Sequence, residues 1–431
     1  MESKGFRWPA PDEAPDDADL SRCVHCGLCV NACPTYAITG LEAESPRGRI
    51  ALAKGVGDGV ISLTAAVQGH WELCLQCRAC ETACPSGVPY GRIMEHARAQ
   101  LDAAPVTGKV SRRGRKFVLR NVVARRGLLS PVLALVRIYA NSGLRNAVQR
   151  SKLVRLSKRV EAMEAQLPHH QGRPFHPGQP LARPVNERSQ AVLFTGCIMG
   201  ELFGNVHRAT GRVLAKHGIR CEAPEPQGCC GALSAHDGDL TFARKLARET
   251  VAAFDASGDL PIVVNSAGCG AAMKEYGDLL SRDSAWSGRA ARFSARVRDL
   301  SELIVATAGD FPATFPARVT YQDPCHLVHA QKIREQPRTL IRTTGCDLVE
   351  TSGADMCCGA AGLYSLVQSA MSAQLRTRKA EQFRIHQPEV VVTANPGCHM
   401  QYEAAIREAG VNARVLHLTE FLDEAYRTAD Q

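Results

Sequence analysis

The chain has 431 residues, 18 cysteines and a formal charge of +9, long enough for two to four domains that each bury a core. Cysteine is too sparse for a disulfide-scaffold protein and too frequent for an ordinary enzyme. The opening "MESKGFRWPAPDEAPDDADL" is acidic and Pro-rich with no apolar core of a secretory signal, so a reducing compartment is expected, where cysteine clusters read as metal sites.

The first element is "CVHCGLCVNACP", with Cys23, Cys26, Cys29 and Cys33 in the C-x2-C-x2-C-x3-C-P run. "CLQCRACETACP" repeats it at Cys74, Cys77, Cys80 and Cys84. This is the bacterial two-cluster ferredoxin pattern. Three thiolates wrap one cubane from a tight loop, and the fourth cysteine ligates the other cluster. The expected sets are therefore Cys23, Cys26, Cys29 and Cys84 for one [4Fe–4S] cluster, and Cys74, Cys77, Cys80 and Cys33 for the second. Zinc sites use C-x2-C pairs at long separation and do not fit. The stretches "GRIALAKGV", "LTAAVQGHWELC" and "YGRIMEHARAQLDA" read as helix, so a mainly helical dicluster domain is expected over residues 1–104. "GVGDG" at 55–59 lacks the preceding strand of a phosphate loop and reads as a turn.

Residues 105–187 read as a basic helical linker. Residues 109–160 hold 15 Lys and Arg and no Asp or Glu, so the rest of the chain sums to −6. Arg alternates there with Leu, Val and Ile. Such a segment suits an anionic membrane surface or an acidic partner subunit, or serves as a solvated linker. Nucleic acid is not expected, because aromatic interleaving and a binding motif are missing. Its longest apolar run, "GLLSPVLALV" at 127–136, is half of what a bilayer crossing needs.

An internal repeat follows, expected as two domains over 188–313 and 314–431. Cys197, Cys229, Cys230 and Cys269 recur as Cys325, Cys357, Cys358 and Cys398, at offsets of 128, 128, 128 and 129. Adjacent Cα atoms are about 3.8 Å apart, too close for an unstrained disulfide within a vicinal pair. Metal binding is the expected use. In each repeat apolar strands ("AVLFTGC", "PIVVNSAGC"; "ARVTYQDPC", "EVVVTANPGC") alternate with helical stretches, which predicts parallel sheets with all four cysteines in loops beyond strand ends. Gly231 and Gly359 are expected to let the backbone pass close to a cluster. Cys221 and Cys346 break the register and read as buried apolar residues. His326, His329 and His399 flank the cysteines as alternative ligands, tuning groups or packing residues.

Tandem Cys-x31-Cys-Cys-Gly units preceded by two ferredoxin runs resemble the cysteine-rich CCG proteins of the heterodisulfide reductase, lactate-utilisation and glycolate oxidase group. The stretches "CRACETACPSGVPY", "GCGAAMKEYG", "MCCGAAGLYSL" and "VVTANPGC" look most like glycolate oxidase iron–sulfur subunits. The iron–sulfur subunit of anaerobic glycerol-3-phosphate dehydrogenase is the nearest competitor. The resemblance implies an α+β multidomain fold: a mainly α-helical dicluster ferredoxin, then two tandem α/β CCG repeats. It implies electron transfer from an FAD-containing subunit that oxidises glycolate to glyoxylate, with an accessory flavoprotein-like subunit, toward a membrane quinone. Residues 109–160 are the candidate contact, and the implied location is cytoplasmic or peripheral on the inner membrane. Lactate or glycerol-3-phosphate oxidation, or a thiol–disulfide enzyme, are the alternatives. No residue of this chain is expected to act catalytically on glycolate. The CCG cysteines are left open to a further iron–sulfur cluster or zinc in one or both repeats. In heterodisulfide reductase a fifth cysteine completes each unit; here Ser266 and Asn395 stand in its place.

Overall fold

The computed structural model describes residues 8–431 except 105, 107, 144, 146–147, 149–150, 152–163, 165–166, 168–171 and 308–311. The expected linker falls partly on those positions, and residues 152–160 of its basic run lie outside the described residues. Two compact units emerge: Met1–Asn121 with Gly231–Arg244, and Val122–Cys230 with Lys245–Gln431.

The first unit is helical, with no strand among its described residues. Helices Pro46–Gly57, Ala65–Glu72 and Tyr90–Ala99 lie where the apolar spacing places them. Ser45 caps the first and Thr64 the second, each accepting a backbone N–H through its hydroxyl. Their inner faces bury Trp71, Ile93, Met94 and Ala97 around Trp8. The "GVGDG" stretch is part helix end and part turn, since Gly55–Gly57 close the helix and Gly59 has φ +68°.

The second unit holds two four-stranded sheets. Strands β1 (Ser189–Phe194), β2 (Ile219–Glu222), β3 (Ile262–Val264) and β4 (Val297–Asp299) lie in the order β2-β1-β3-β4. Strands β5 (Arg318–Tyr321), β6 (Asp347–Leu348), β7 (Val390–Thr393) and β8 (Arg414–His417) repeat it as β6-β5-β7-β8. All six pairings are parallel. This is α/β architecture, with Val, Ile and Leu buried on both faces of the central strands. The duplication read from the cysteines is thus a duplication of fold. The edge strands β4 and β8 escape a sequence reading because they are short and their apolar residues run straight into the next helix.

The order reverses between β1 and β3, and again between β5 and β7. Such a switch point opens a crevice beyond the strands' carboxyl ends. Cys197 and Cys269 follow β1 and β3, and Cys325 and Cys398 follow β5 and β7, so the topology alone carries them to the crevice.

Candidate iron–sulfur sites

In the helical unit the two cysteine runs form loops with matching backbone. Residues two and four beyond the first cysteine have positive φ in both: His25 (57°) and Gly27 (86°), then Gln76 (53°) and Arg78 (64°). Three of the four are not glycine, a conformational cost that recurs at functional sites. It turns backbone N–H groups inward, as where Gln76 N donates to Cys74 Sγ at 3.3 Å.

These loops line two cavities. One is lined by Cys23, Cys26, Cys29, Cys80 and Cys84. The other is lined by Cys33, Cys74, Cys77 and Cys80. The first thus gathers three cysteines of the first run with Cys80 and Cys84 of the second, and the other gathers three of the second run with Cys33 of the first. Tyr90, Pro46 and Cys80 line both. Burial pushes the Cys80 thiol well up, and the neighbouring Cys77 and Cys74 add to it. Burial raises Cys29 as well. Thiols crowded in this way ionise together only around a cationic group. Among the described residues no three His, Cys, Asp or Glu side chains stand close enough to grip a single ion; a cubane instead takes its thiolates at separate corners. The donor sets fit [4Fe–4S] clusters.

Residues without cysteine chemistry complete the second cavity. Arg49, 1% exposed, places Nη1 3.9 Å from Cys33 Sγ and donates to Thr35 Oγ1, Glu44 Oε2 and the His70 carbonyl. Cys33 Sγ also lies 3.2 Å from Thr35 Oγ1 and donates to the Glu44 carbonyl at 3.5 Å. Tyr90 Oη donates to Cys74 Sγ at 3.7 Å. Sequence reasoning passed over Arg49 and Tyr90 as helix residues. The signal was an arginine on the inward, apolar face of a helix that lies between the two cysteine runs.

In the first repeat Cys197 Sγ donates to Cys229 Sγ at 3.7 Å, and sulfur–hydrogen bonding links Cys230 to Cys229 and Cys269. In the second, the Cys325 and Cys357 sulfurs are 3.9 Å apart, and Cys358 is hydrogen-bonded to Cys357 and Cys398. Each repeat therefore brings its four register cysteines together. They are not all in loops. Cys269 and Cys398 stand in the first turn of helices Ala267–Lys274 and Pro396–Ala409, and Cys197 caps helix Ile198–Leu202. The glycines after the vicinal pairs are required by φ values of +82° and +87°, and a Cβ on Gly359 would press within 3.0 Å of the Ser372 carbonyl. Close packing of helix Ser369–His386 thus adds to the need for glycine at 359.

Hydrogen bonding among the thiols divides their protons unevenly in both repeats. Cys197 and Cys230 are raised, first by hydrogen bonding to Cys229. In the second repeat Cys357 and Cys398 are likewise raised, first by hydrogen bonding to Cys325 and Cys358, while Cys358 is held well below the ordinary thiol range by its hydrogen bonds with Cys357 and Cys398. Cys221 is packed in the core, its thiol pushed up to about 12 by burial, and Cys346 Sγ donates to the Ile341 carbonyl. His326 Nδ1 is 3.5 Å from Cys325 Sγ. His329 pairs with the Asp355 carbonyl and His399 with Glu403.

Comparison with known proteins agrees with this geometry. Residues 19–88 match a 4Fe-4S dicluster domain, residues 111–167 the linker region of glycolate oxidase iron-sulfur subunits, and residues 191–274 and 319–403 a cysteine-rich domain. A probable glycolate oxidase iron-sulfur subunit of Bacillus subtilis is 36% identical over 96% of this chain and 95% of its own length. The glycolate oxidase iron-sulfur subunit of Escherichia coli is 32% identical over 95% of each. Lactate utilization protein A of Geobacillus thermodenitrificans is 30% identical, covering 54% of this chain and 97% of its own.

Proposed function

Because this chain belongs to the family of glycolate oxidase iron–sulfur subunits, we propose that it carries electrons from a flavin-bearing partner that oxidises glycolate to glyoxylate toward a quinone-type acceptor. It is an iron–sulfur subunit of an oxidoreductase complex. The observation that carries the reading is the pair of adjoining cavities, in each of which three cysteines of one run meet cysteine from the other.

[4Fe–4S] clusters bound there would supply one-electron carriers. Cys23, Cys26, Cys29 and Cys84 would hold one and Cys33, Cys74, Cys77 and Cys80 the other. The chain's own residues set the conditions. Arg49 offsets negative charge at Cys33, Gln76 N and Tyr90 Oη donate to Cys74, and Cys80 and Tyr90 form the wall shared by the cavities. Cys197, Cys229, Cys230 and Cys269, with Cys325, Cys357, Cys358 and Cys398, would hold the further metal groups. An accessory flavoprotein-like subunit completes the proposed complex.

The contact surface is assigned to the basic segment. Helix Arg126–Asn141 buries Leu129 and packs Leu133 on Met199, Leu202 and Phe203. Its other face leaves Leu128, Val132, Leu135 and Ile138 exposed at helical spacing. Among the described residues no helix is long and apolar enough to cross a membrane, so the proposed attachment is peripheral. Mixing the purified chain with the flavin subunit tests the function: glycolate should reduce a dye rapidly only in the mixture, and full activity from this chain alone would overturn the reading.

A further inference from the structure

The two cysteine-rich repeats share a fold but not an electrostatic design. Along helices Leu240–Ala253 and Ser369–His386, Leu246 and Phe254, the latter just past the first helix's end, correspond to Leu375 and Phe383 at an offset of 129, and all four are buried. That register sets Thr250 against Lys379. Both are 3% exposed, but one is neutral and the other an ammonium.

Lys379 Nζ donates to Gln322 Oε1, Gly353 O and Ala354 O at 2.9, 2.7 and 3.1 Å. All three acceptors are neutral. The carboxylate nearby, Asp323, is held bidentately by Arg338 at 2.8 and 2.7 Å. A buried cation with neutral partners is costly unless an anion stands close by. Burial lowers the pKa of Lys379, and the groups that favour its charge are, in order of strength, Cys358, Cys398, Cys357 and Asp323.

A second observation points the same way. In the first repeat the Tyr276 hydroxyl donates to the Cys230 carbonyl at 2.7 Å. In the second, Gln401 Nε2 takes over the matching carbonyl of Cys358 at 2.9 Å. Tyr402 packs against Cys358 and Cys398 in one apolar cluster. It is fully buried, and its hydroxyl has no hydrogen-bond partner in the protein. A buried hydroxyl without a protein partner, in the cluster that holds Cys358 and Cys398, marks the place of an acceptor the chain itself does not provide.

We propose that Lys379 and Tyr402 tune the thiolate-bound group of the second repeat, Lys379 as its buried counter-charge and Tyr402 as a hydrogen-bond donor to it, making this group easier to reduce than its counterpart in the first repeat. Reduction adds negative charge, which a fixed ammonium and a donated hydrogen bond stabilise, whereas Thr250 and the engaged Tyr276 offer the first repeat neither. This rests on the proposal that the four cysteines hold a redox-active metal group. Lys379 and Tyr402 are positioning residues, since neither is assigned as a ligand.

The test is a redox titration of the anaerobically purified full-length chain followed by electron paramagnetic resonance, with Cys398→Ser identifying the second repeat's signal. The Cys398-dependent signal should move to lower potential in Lys379→Gln, by at least a tenfold shift in its reduction equilibrium, about 59 mV for one electron. Lys379→Arg should move it far less. Tyr402→Phe removes no protein hydrogen bond, so folding is preserved, and it should shift the same signal in the same direction. Thr250→Val should leave it in place. An unmoved Cys398-dependent signal in both Lys379→Gln and Tyr402→Phe would overturn the proposal. So would the absence of such a signal from the unaltered chain, while intact dicluster signals would leave the electron-transfer reading standing.

Discussion

The Ser266 hydroxyl donates to Asn395 Oδ1 at 3.3 Å, so the two residues that stand where heterodisulfide reductase has its extra cysteines bond to each other across the repeats. Asn395 does more than fill the position. Its Oδ1 also accepts from Gly268 N at 3.3 Å, its Nδ2 donates to Cys398 Sγ at 3.5 Å, and Ala267 N bonds the Ala394 carbonyl alongside. The amide thus spans the start of the Cys269 helix and the Cys398 sulfur. Asn395→Ala should destabilise the unit by about 1–3 kcal/mol, since half-buried donors are left without partners. Thermal unfolding under anaerobic conditions measures this. An unchanged midpoint would show that the two repeats do not depend on the bridge.

Arg49 gives the sharpest prediction for the helical unit. It is buried with Glu44 as its ion-pair partner at 2.5 Å, and removing one member of a buried pair costs about 3–5 kcal/mol. Arg49→Met should therefore lower stability and also make the cluster assigned to Cys33 harder to reduce. Arg49→Lys should preserve part of the potential. A midpoint potential that stays constant in Arg49→Met would remove the residue from the electron path.

The exposed face of helix Arg126–Asn141 predicts a lipid response. Leu135→Asp with Ile138→Asp places charge where 69% and 65% of these residues are open to solvent. The fold should therefore be unaffected, while sedimentation with anionic vesicles weakens at least tenfold and becomes more salt-sensitive. Equal binding by the double variant would move the contact elsewhere.

His417 carries a pH dependence. Its Nε2 donates to the Asn265 carbonyl at 2.9 Å, and its Nδ1 accepts from Thr419 N at the start of the last helix. The ring is therefore a neutral tautomer, and burial depresses its pKa to about 3. An unfolded chain protonates this residue near pH 6.5. Stability from His417 is thus complete above that pH and is lost as pH falls toward the folded value, by about 2 kcal/mol between pH 7 and 5. His207, lowered to about 4 by burial, adds in the same direction. Melting of His417→Gln at both pH values should show a smaller pH difference than the unaltered chain. An identical difference would contradict the assignment.

Much of this was legible in the residues themselves. The ferredoxin runs announce their two cavities because ligand spacing is local, and the 128-residue register announces the duplicated sheet because four cysteines cannot keep step by chance. What lies across the fold was not legible. Arg49 and Tyr90 look like helix residues until packing turns them onto Cys33 and Cys74. Lys379 differs from its counterpart Thr250 by one substitution whose meaning depends on burial. Ser266 and Asn395 read as lost ligands, whereas the structure uses them as a joint. Equally, no local signal in Gly231–Arg244 shows that it joins the helical unit, because its anchors are single pairs far apart in sequence, such as His236 with Glu95 and Arg244 with Glu13.

Rapid-freeze electron paramagnetic resonance of this chain mixed anaerobically with the flavin subunit and glycolate tests the central claim most directly. The account predicts reduced [4Fe–4S] signals that appear within the turnover time of the mixture and require both glycolate and the flavin subunit. Clusters that stay oxidised while the partner turns over glycolate, or that glycolate reduces without the partner, would contradict it.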